Sequence, residues 1–116
     1  MKVYKIKTKQ VIKKPLSEVF SFFSRPENLS LITPPRLSFN ILTPKPIDMK
    51  QGSIIDYTIK IFMFPIHWRT LITTYEHPYK FVDEQIKGPY TFWHHTHTFN
   101  ETDSGVEIID KVSYSI

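Results

Sequence analysis

The chain has no cysteine. Disulfides, thiolate nucleophiles, cysteine-ligated zinc and iron–sulfur clusters are therefore excluded. Glycine is almost as scarce, with three residues in 116 against nine prolines. Neither GxGxxG nor GxxxxGK[ST] occurs, so no phosphate-cradling loop of those kinds is encoded. No apolar run approaches the roughly 20 residues that span a bilayer. The N-terminus carries lysines where a signal peptide would carry an apolar segment. A soluble, cytoplasmic protein is expected. Acids are missing from the start of the chain: Lys2, Lys5, Lys7, Lys9, Lys13 and Lys14 all precede Glu18.

What is present describes one globular domain covering residues 1–116. Hydrophobic residues make up 41% and charged residues 22%, values that suit a packed core rather than disorder. Aromatics reach 15%. The formal charge of +4 comes largely from the N-terminal lysines. Lys5, Lys7 and Lys9 alternate with Tyr4, Ile6 and Thr8, which predicts a strand with a lysine-lined outer face. A nucleic-acid stripe would interleave arginines and exposed aromatics among the lysines, and it does not. No nucleic-acid partner is expected.

After this first strand, over 2–13, the period changes. Pro15 opens a segment in which Leu16, Val19, Phe20 and Phe23 share one helical face. A second short helix is predicted over 26–32, closed by Thr33-Pro34-Pro35. Strands follow near 37–43, 52–63, 66–76, 79–87, 90–100 and 105–116. Turn signals separate them at Lys45-Pro46, Gln51-Gly52, Pro65, His77-Pro78, Gly88-Pro89 and Asp103-Ser104-Gly105. Short connections between successive strands imply an antiparallel meander. The expectation is an α+β fold: a curved antiparallel sheet of seven strands with two short helices after the first.

This order resembles the START-like, helix-grip superfamily, the SRPBCC group of polyketide cyclases/dehydrases and lipid-transport proteins. Within it, the sequence looks like small bacterial members of unassigned activity. Three stretches carry the resemblance: Pro15-Leu16-Ser17-Glu18-Val19-Phe20-Ser21-Phe22-Phe23-Ser24-Arg25-Pro26-Glu27-Asn28-Leu29, Phe81-Val82-Asp83-Glu84-Gln85, and the run from Gly88-Pro89-Tyr90 to Thr98-Phe99. The resemblance implies a cavity on the concave face of the sheet, roofed by a long C-terminal helix. The sequence stops at Ile116 before any such helix. A homo-oligomer that covers the concave face is therefore expected, because an open apolar sheet exceeds what monomers expose.

Alternation places Trp93, His95, His97 and Phe99 on one face of their strand, and the bracketing aromatics make that face the inner one. Phe81, Asp83 and Gln85 share a face of the preceding strand. Tyr57, Trp68, Arg69, Asp83, Gln85, Trp93, His95, His97 and Phe99 make up the expected ligand-binding set, in which Arg69 is a candidate anion partner. Arg69 has a plainer alternative as a surface residue paired with Asp56 or Glu84. Asp56 is expected to point outward. His95, His97 and Asp83 are the candidates for proton transfer, or for a satisfied polar network between strands. His-x-His on a strand also aims two imidazoles one way, as some metal sites do. A third ligand would have to come from Asp83 or Gln85, and no HExxH motif is present, so no metal or cofactor is expected. Met63, Phe64, Pro65 and Ile66 form an apolar tip that gates the cavity, contacts a partner or folds back on its own domain.

Three functions fit these residues. The first is binding of an apolar or amphipathic small molecule, lipid- or polyketide-like, in the concave cavity. The second is an enzyme of the cyclase or aromatase kind, using His95, His97 and Asp83. The third is an interaction module whose open face docks a protein.

Overall fold

The structure is a computed structural model describing every residue except Pro34, and every side chain except those of Ser30, Pro34 and Pro35. The elements run β1 (Tyr4–Ile12), α1 (Leu16–Ser24), a 3-10 turn (Pro26–Asn28), α2 (Leu29–Ile32), a second 3-10 turn (Pro35–Leu37), β2 (Asn40–Ile41), β3 (Ile54–Ile61), β4 (Phe64–Glu76), β5 (Lys80–Lys87), β6 (Phe92–Thr102) and β7 (Gly105–Ser115). The fold is α+β, as expected: one seven-stranded sheet in the order β1-β7-β6-β5-β4-β3-β2. All pairings are antiparallel, and β1 crosses to the far edge to pair with β7 from Tyr4↔Tyr114 to Ile12↔Val106.

The sequence accounts for most of these boundaries. Pro15 caps α1 with an extended backbone, after which Leu16, Val19 and Phe20 turn one stripe into the core. The expected second helix is split, because Pro26 begins a 3-10 turn and only Leu29–Ile32 is α-helical. Thr33 closes α2: its backbone N–H and its Oγ1 both donate to the Leu29 carbonyl, at 2.9 and 2.6 Å. Part of the expected closing signal, Pro34, lies outside the described residues.

The strand expected over 37–43 shrinks to Asn40–Ile41, since Pro35–Leu37 coils into a 3-10 turn. The β3–β4 tip falls at Phe62-Met63 rather than at Met63–Ile66, and Phe64 already pairs with Ile61. Register shifts interrupt the β4–β5 ladder at Arg69/Thr70 and Ile72/Thr74. Such irregularities bend and twist a sheet locally, here along its middle.

The core lies under α1 at one end of the concave face. Leu16, Val19 and Phe20 pack on Phe81, Phe99, Val106 and Ile108. Phe20 and Phe99 have no exposed surface, and their rings meet edge-to-face at 5.0 Å between centroids. α1 is too short to cover the remaining face. That uncovered part of the sheet is where the candidate site residues gather.

Candidate functional site

Alternation on three adjacent strands builds the site. Val106, Ile108 and Val112 are the buried inner positions of β7, and Asp110 falls between them in the same phase. In β6 the inner positions are Trp93, His95, His97 and Phe99, and in β5 Phe81 and Asp83. Register then sets Asp83 directly opposite His95 across β5–β6, and His97 directly opposite Asp110 across β6–β7. Two carboxylates and two imidazoles form a compact parallelogram on the concave sheet.

The contacts within it are short. His97 Nε2 lies 2.6 Å from Asp83 Oδ2, and His97 Nδ1 lies 2.9 Å from Asp110 Oδ1. His95 Nε2 reaches the same Asp110 oxygen at 3.0 Å, while its Nδ1 stands 3.8 Å from Asp83 Oδ2. The imidazoles are stacked with centroids 3.7 Å apart, and the Phe81 ring stacks on the other face of His97 at 4.0 Å. Burial works against a charged His97, but its hydrogen bonds to Asp110 and Asp83 outweigh that and hold its pKa up at about 8. Burial also pushes on Asp110, yet the bonds from His95 and His97 hold its carboxyl well below the usual range.

This polar group forms part of the wall of a cavity of about 440 Å³. Ile6, Thr8 and Gln10 of β1 line another side, Phe23, Leu29 and Ile32 the helical side, and Ile55, Tyr57, Trp68 and Trp93 the far sheet wall. Tyr57 and Trp68 are stacked at 5.9 Å, and Trp93 meets Trp68 edge-to-face at 5.2 Å. Burial, reinforced by the charge of Asp83, pushes the Tyr57 phenol pKa up, so it acts as a neutral hydroxyl. The Trp68 indole N–H is buried and has no hydrogen-bond partner among the described residues.

The sheet thus brings together Tyr57, Trp68, Asp83, Trp93, His95 and His97. It does not bring in the other three expected site residues. Phe99 belongs to the core under α1. Gln85 is spent on a turn: its Nε2 donates to the Tyr90 carbonyl at 2.6 Å and its Oε1 accepts from the Tyr90 N–H at 3.1 Å. Arg69 has the opposite phase to Trp68 and sits on the outer face, where its Nε donates to Asp56 Oδ1 at 2.8 Å beside His67 Nε2 at 2.7 Å. Its hydrogen bond is the main force holding the Asp56 carboxyl below the ordinary range. The arginine that lines the cavity is Arg25. Sequence reasoning missed Asp110, although an acid in the apolar phase Val106, Ile108, Val112 is a readable signal.

Solved structures share this architecture over nearly the whole chain. A major latex-like protein of ginseng, Panax ginseng, superposes with a TM-score of 0.73 at 12% identity, over 97% of this chain and 79% of that one. A Chromobacterium violaceum protein gives 0.76 at 12% identity, covering 94% and 78%. One from Cytophaga hutchinsonii gives 0.71 at 17% identity, covering 97% and 78%. The fold is the helix-grip fold. At these identities the likeness speaks for the helix-grip architecture alone. No protein-family model matches the chain, and no curated protein matches it either. Among the described residues no helix is long and apolar enough to cross a membrane.

Proposed function

We propose that this helix-grip domain binds an apolar or amphipathic small molecule, lipid- or polyketide-like, in its concave cavity. The observation that carries the reading is the composition of the cavity wall. Mostly aliphatic and aromatic side chains surround a volume of about 440 Å³, with Gln10 and Arg25 at its edges and one convergent polar group, Asp83, His95, His97 and Asp110, on the sheet. Cavities of a few hundred cubic ångströms with few, placed polar groups suit small-molecule ligands. The hydrocarbon part lies against Ile55, Trp68 and Trp93, and a hydroxyl, carbonyl or carboxyl head meets the imidazoles. Covering of the concave face by a second copy of the chain belongs to the same proposal, since Ile6 is half exposed there.

Native mass spectrometry of the purified protein, followed by denaturing extraction, tests this directly. A retained mass that extracts as a lipid or polyketide-like compound is expected. Thr8→Trp, which fills the cavity from the β1 side, should abolish retention. Retention unchanged in that variant places the ligand elsewhere and ends the proposal. The same spectra report subunit number.

One observation favours a second, enzymatic reading. His97 is bonded to two carboxylates, Asp83 at 2.6 Å and Asp110 at 2.9 Å, and their hold on its proton suits a group that takes up and returns a proton near neutrality. His97→Gln should then keep ligand affinity and lose turnover of a bound polyketide-like substrate.

A further inference from the structure

The polar group turns one atom from each of three side chains toward a common point. His97 Nδ1 and His95 Nε2 both point at Asp110 Oδ1, at 2.9 and 3.0 Å, and a carboxylate oxygen accepts both N–H groups. The other ring nitrogens, His97 Nε2 and His95 Nδ1, both face Asp83 Oδ2, at 2.6 and 3.8 Å. In the metal-free protein a protonated His97 closes this arrangement by donating from both nitrogens. A metal ion takes the place of that inner proton, since metal-ligating histidines are neutral and binding releases protons. With both rings neutral the four side chains carry a formal charge of −2, which a divalent cation balances.

We propose that Asp83, His95 and His97 bind a divalent transition-metal ion of the zinc class, with Asp110 as the outer carboxylate that orients both rings. One nitrogen or oxygen atom from each of the three lies within 4.8 Å of the others. A tetrahedral ion with bonds of about 2.0–2.1 Å needs ligand atoms roughly 3.4 Å apart. The contacts of 2.6 and 3.8 Å bracket that value. Two imidazoles and a single carboxylate suit zinc and its neighbours, whereas calcium and magnesium require oxygen-rich sites. A carboxylate bound to the far nitrogen of a metal-ligating histidine is a recurrent outer support, and here one carboxylate serves both histidines. The three ligands line the cavity, so the fourth coordination position is left for water or a ligand head. The proposal holds whether or not an apolar molecule occupies the cavity.

Binding has a structural consequence. The imidazole planes are 23° apart in the stack, so their in-plane lone pairs run side by side. Both can point at one ion only if the rings swing apart, which opens the stack.

The test uses the full chain freed of metal with a chelator and titrated with Zn²⁺ by calorimetry, with Co²⁺ as a coloured substitute. One ion per chain is expected. Asp110→Asn should weaken binding by about 10–100-fold, as loss of outer support does elsewhere, and His95→Gln or Asp83→Asn by more. His67→Gln and His94→Gln alter outer-face histidines and should change nothing. Absence of saturable Zn²⁺ binding, or binding indifferent to His95→Gln and Asp83→Asn, overturns the proposal. Should the variants not fold, anomalous scattering at the zinc edge from wild-type crystals decides: a peak among the three inner atoms supports the site, and a peak elsewhere or none refutes it.

Discussion

Asp110 faces His97 across the β6–β7 ladder, and the 2.9 Å contact from its Oδ1 to Nδ1 joins an acid and a base that lie 13 residues apart in sequence. Each holds the other in its charged form against burial.

That relationship sets a pH dependence. His97 in the folded protein has a pKa of about 8, above its ordinary 6.5. Its contribution is therefore fully present below about pH 6.5 and is lost as pH rises through about 8, worth roughly 2 kcal/mol over that window. Asp110 works in the opposite sense: its lowered pKa stabilises above the ordinary carboxylate range and is lost on acidification. Urea denaturation of metal-free protein should show stability falling between about pH 6 and about pH 9. Asp110→Asn should flatten that fall, and an undiminished fall in the variant would contradict the pairing.

Gln85 and Gly88 form a second testable pair. A Cβ on Gly88 would sit 2.6 Å from Gln85 Oε1, an atom already committed to the Tyr90 N–H. Gly88→Ala should therefore destabilise by about 1 kcal/mol, as loss of a part-buried hydrogen bond does. In a Gln85→Ala background the same change should cost much less. Additive costs in the double-mutant cycle would show that the clash is relieved elsewhere.

Phe99 separates core from cavity. Phe99→Ala should cost about 3–5 kcal/mol in chemical denaturation, because the ring is fully enclosed by Phe20 and Phe81. Phe99→Leu should preserve whatever the cavity retains, since the ring lies outside the cavity wall. Loss of ligand in a stably folded Phe99→Leu protein would return the residue to the site.

The β3–β4 tip predicts a gain. Phe62 and Met63 both adopt positive φ, at 50° and 69°, in the two-residue turn between Ile61 and Phe64. They are 91% and 89% exposed, so their side chains return almost nothing for that conformation. Replacing the pair with Asn-Gly, the sequence such turns favour, should stabilise the fold by about 1 kcal/mol. A lower melting temperature would mean that these side chains bury surface against something in solution.

The fold was legible because each signal was local: Pro15 before a helical stripe, then alternating strands separated by proline and glycine. β2 was overestimated because Pro35–Leu37 coils into a 3-10 turn and Ser38 takes a positive φ of 46°, which leaves Asn40 and Ile41 to pair with β3. Within the site, phase identified Trp93, His95, His97 and Asp83, whose inward direction follows from neighbouring aromatics. Phase could not assign Gln85, which shares the inner phase but reaches sideways to Tyr90. Arg69 follows the phase of Trp68 to the outer face, where it makes the pair with Asp56 that its plainer alternative named. Asp110 was overlooked as one acid among many, although its apolar companions mark it.

The β1–β7 ladder joins the two ends of the chain, with Tyr4 against Tyr114 and the Ser115 hydroxyl donating to the Lys2 carbonyl at 2.7 Å. Closing a loop of about a hundred residues is entropically the hardest step in such a topology and comes after the local hairpins. Ile6, Thr8 and Gln10 sit on that late-arriving strand. A partly folded chain would already present the His–Asp group on β5, β6 and β7 but would have no wall opposite it. The meander alone makes a tray, and the first strand turns it into a vessel.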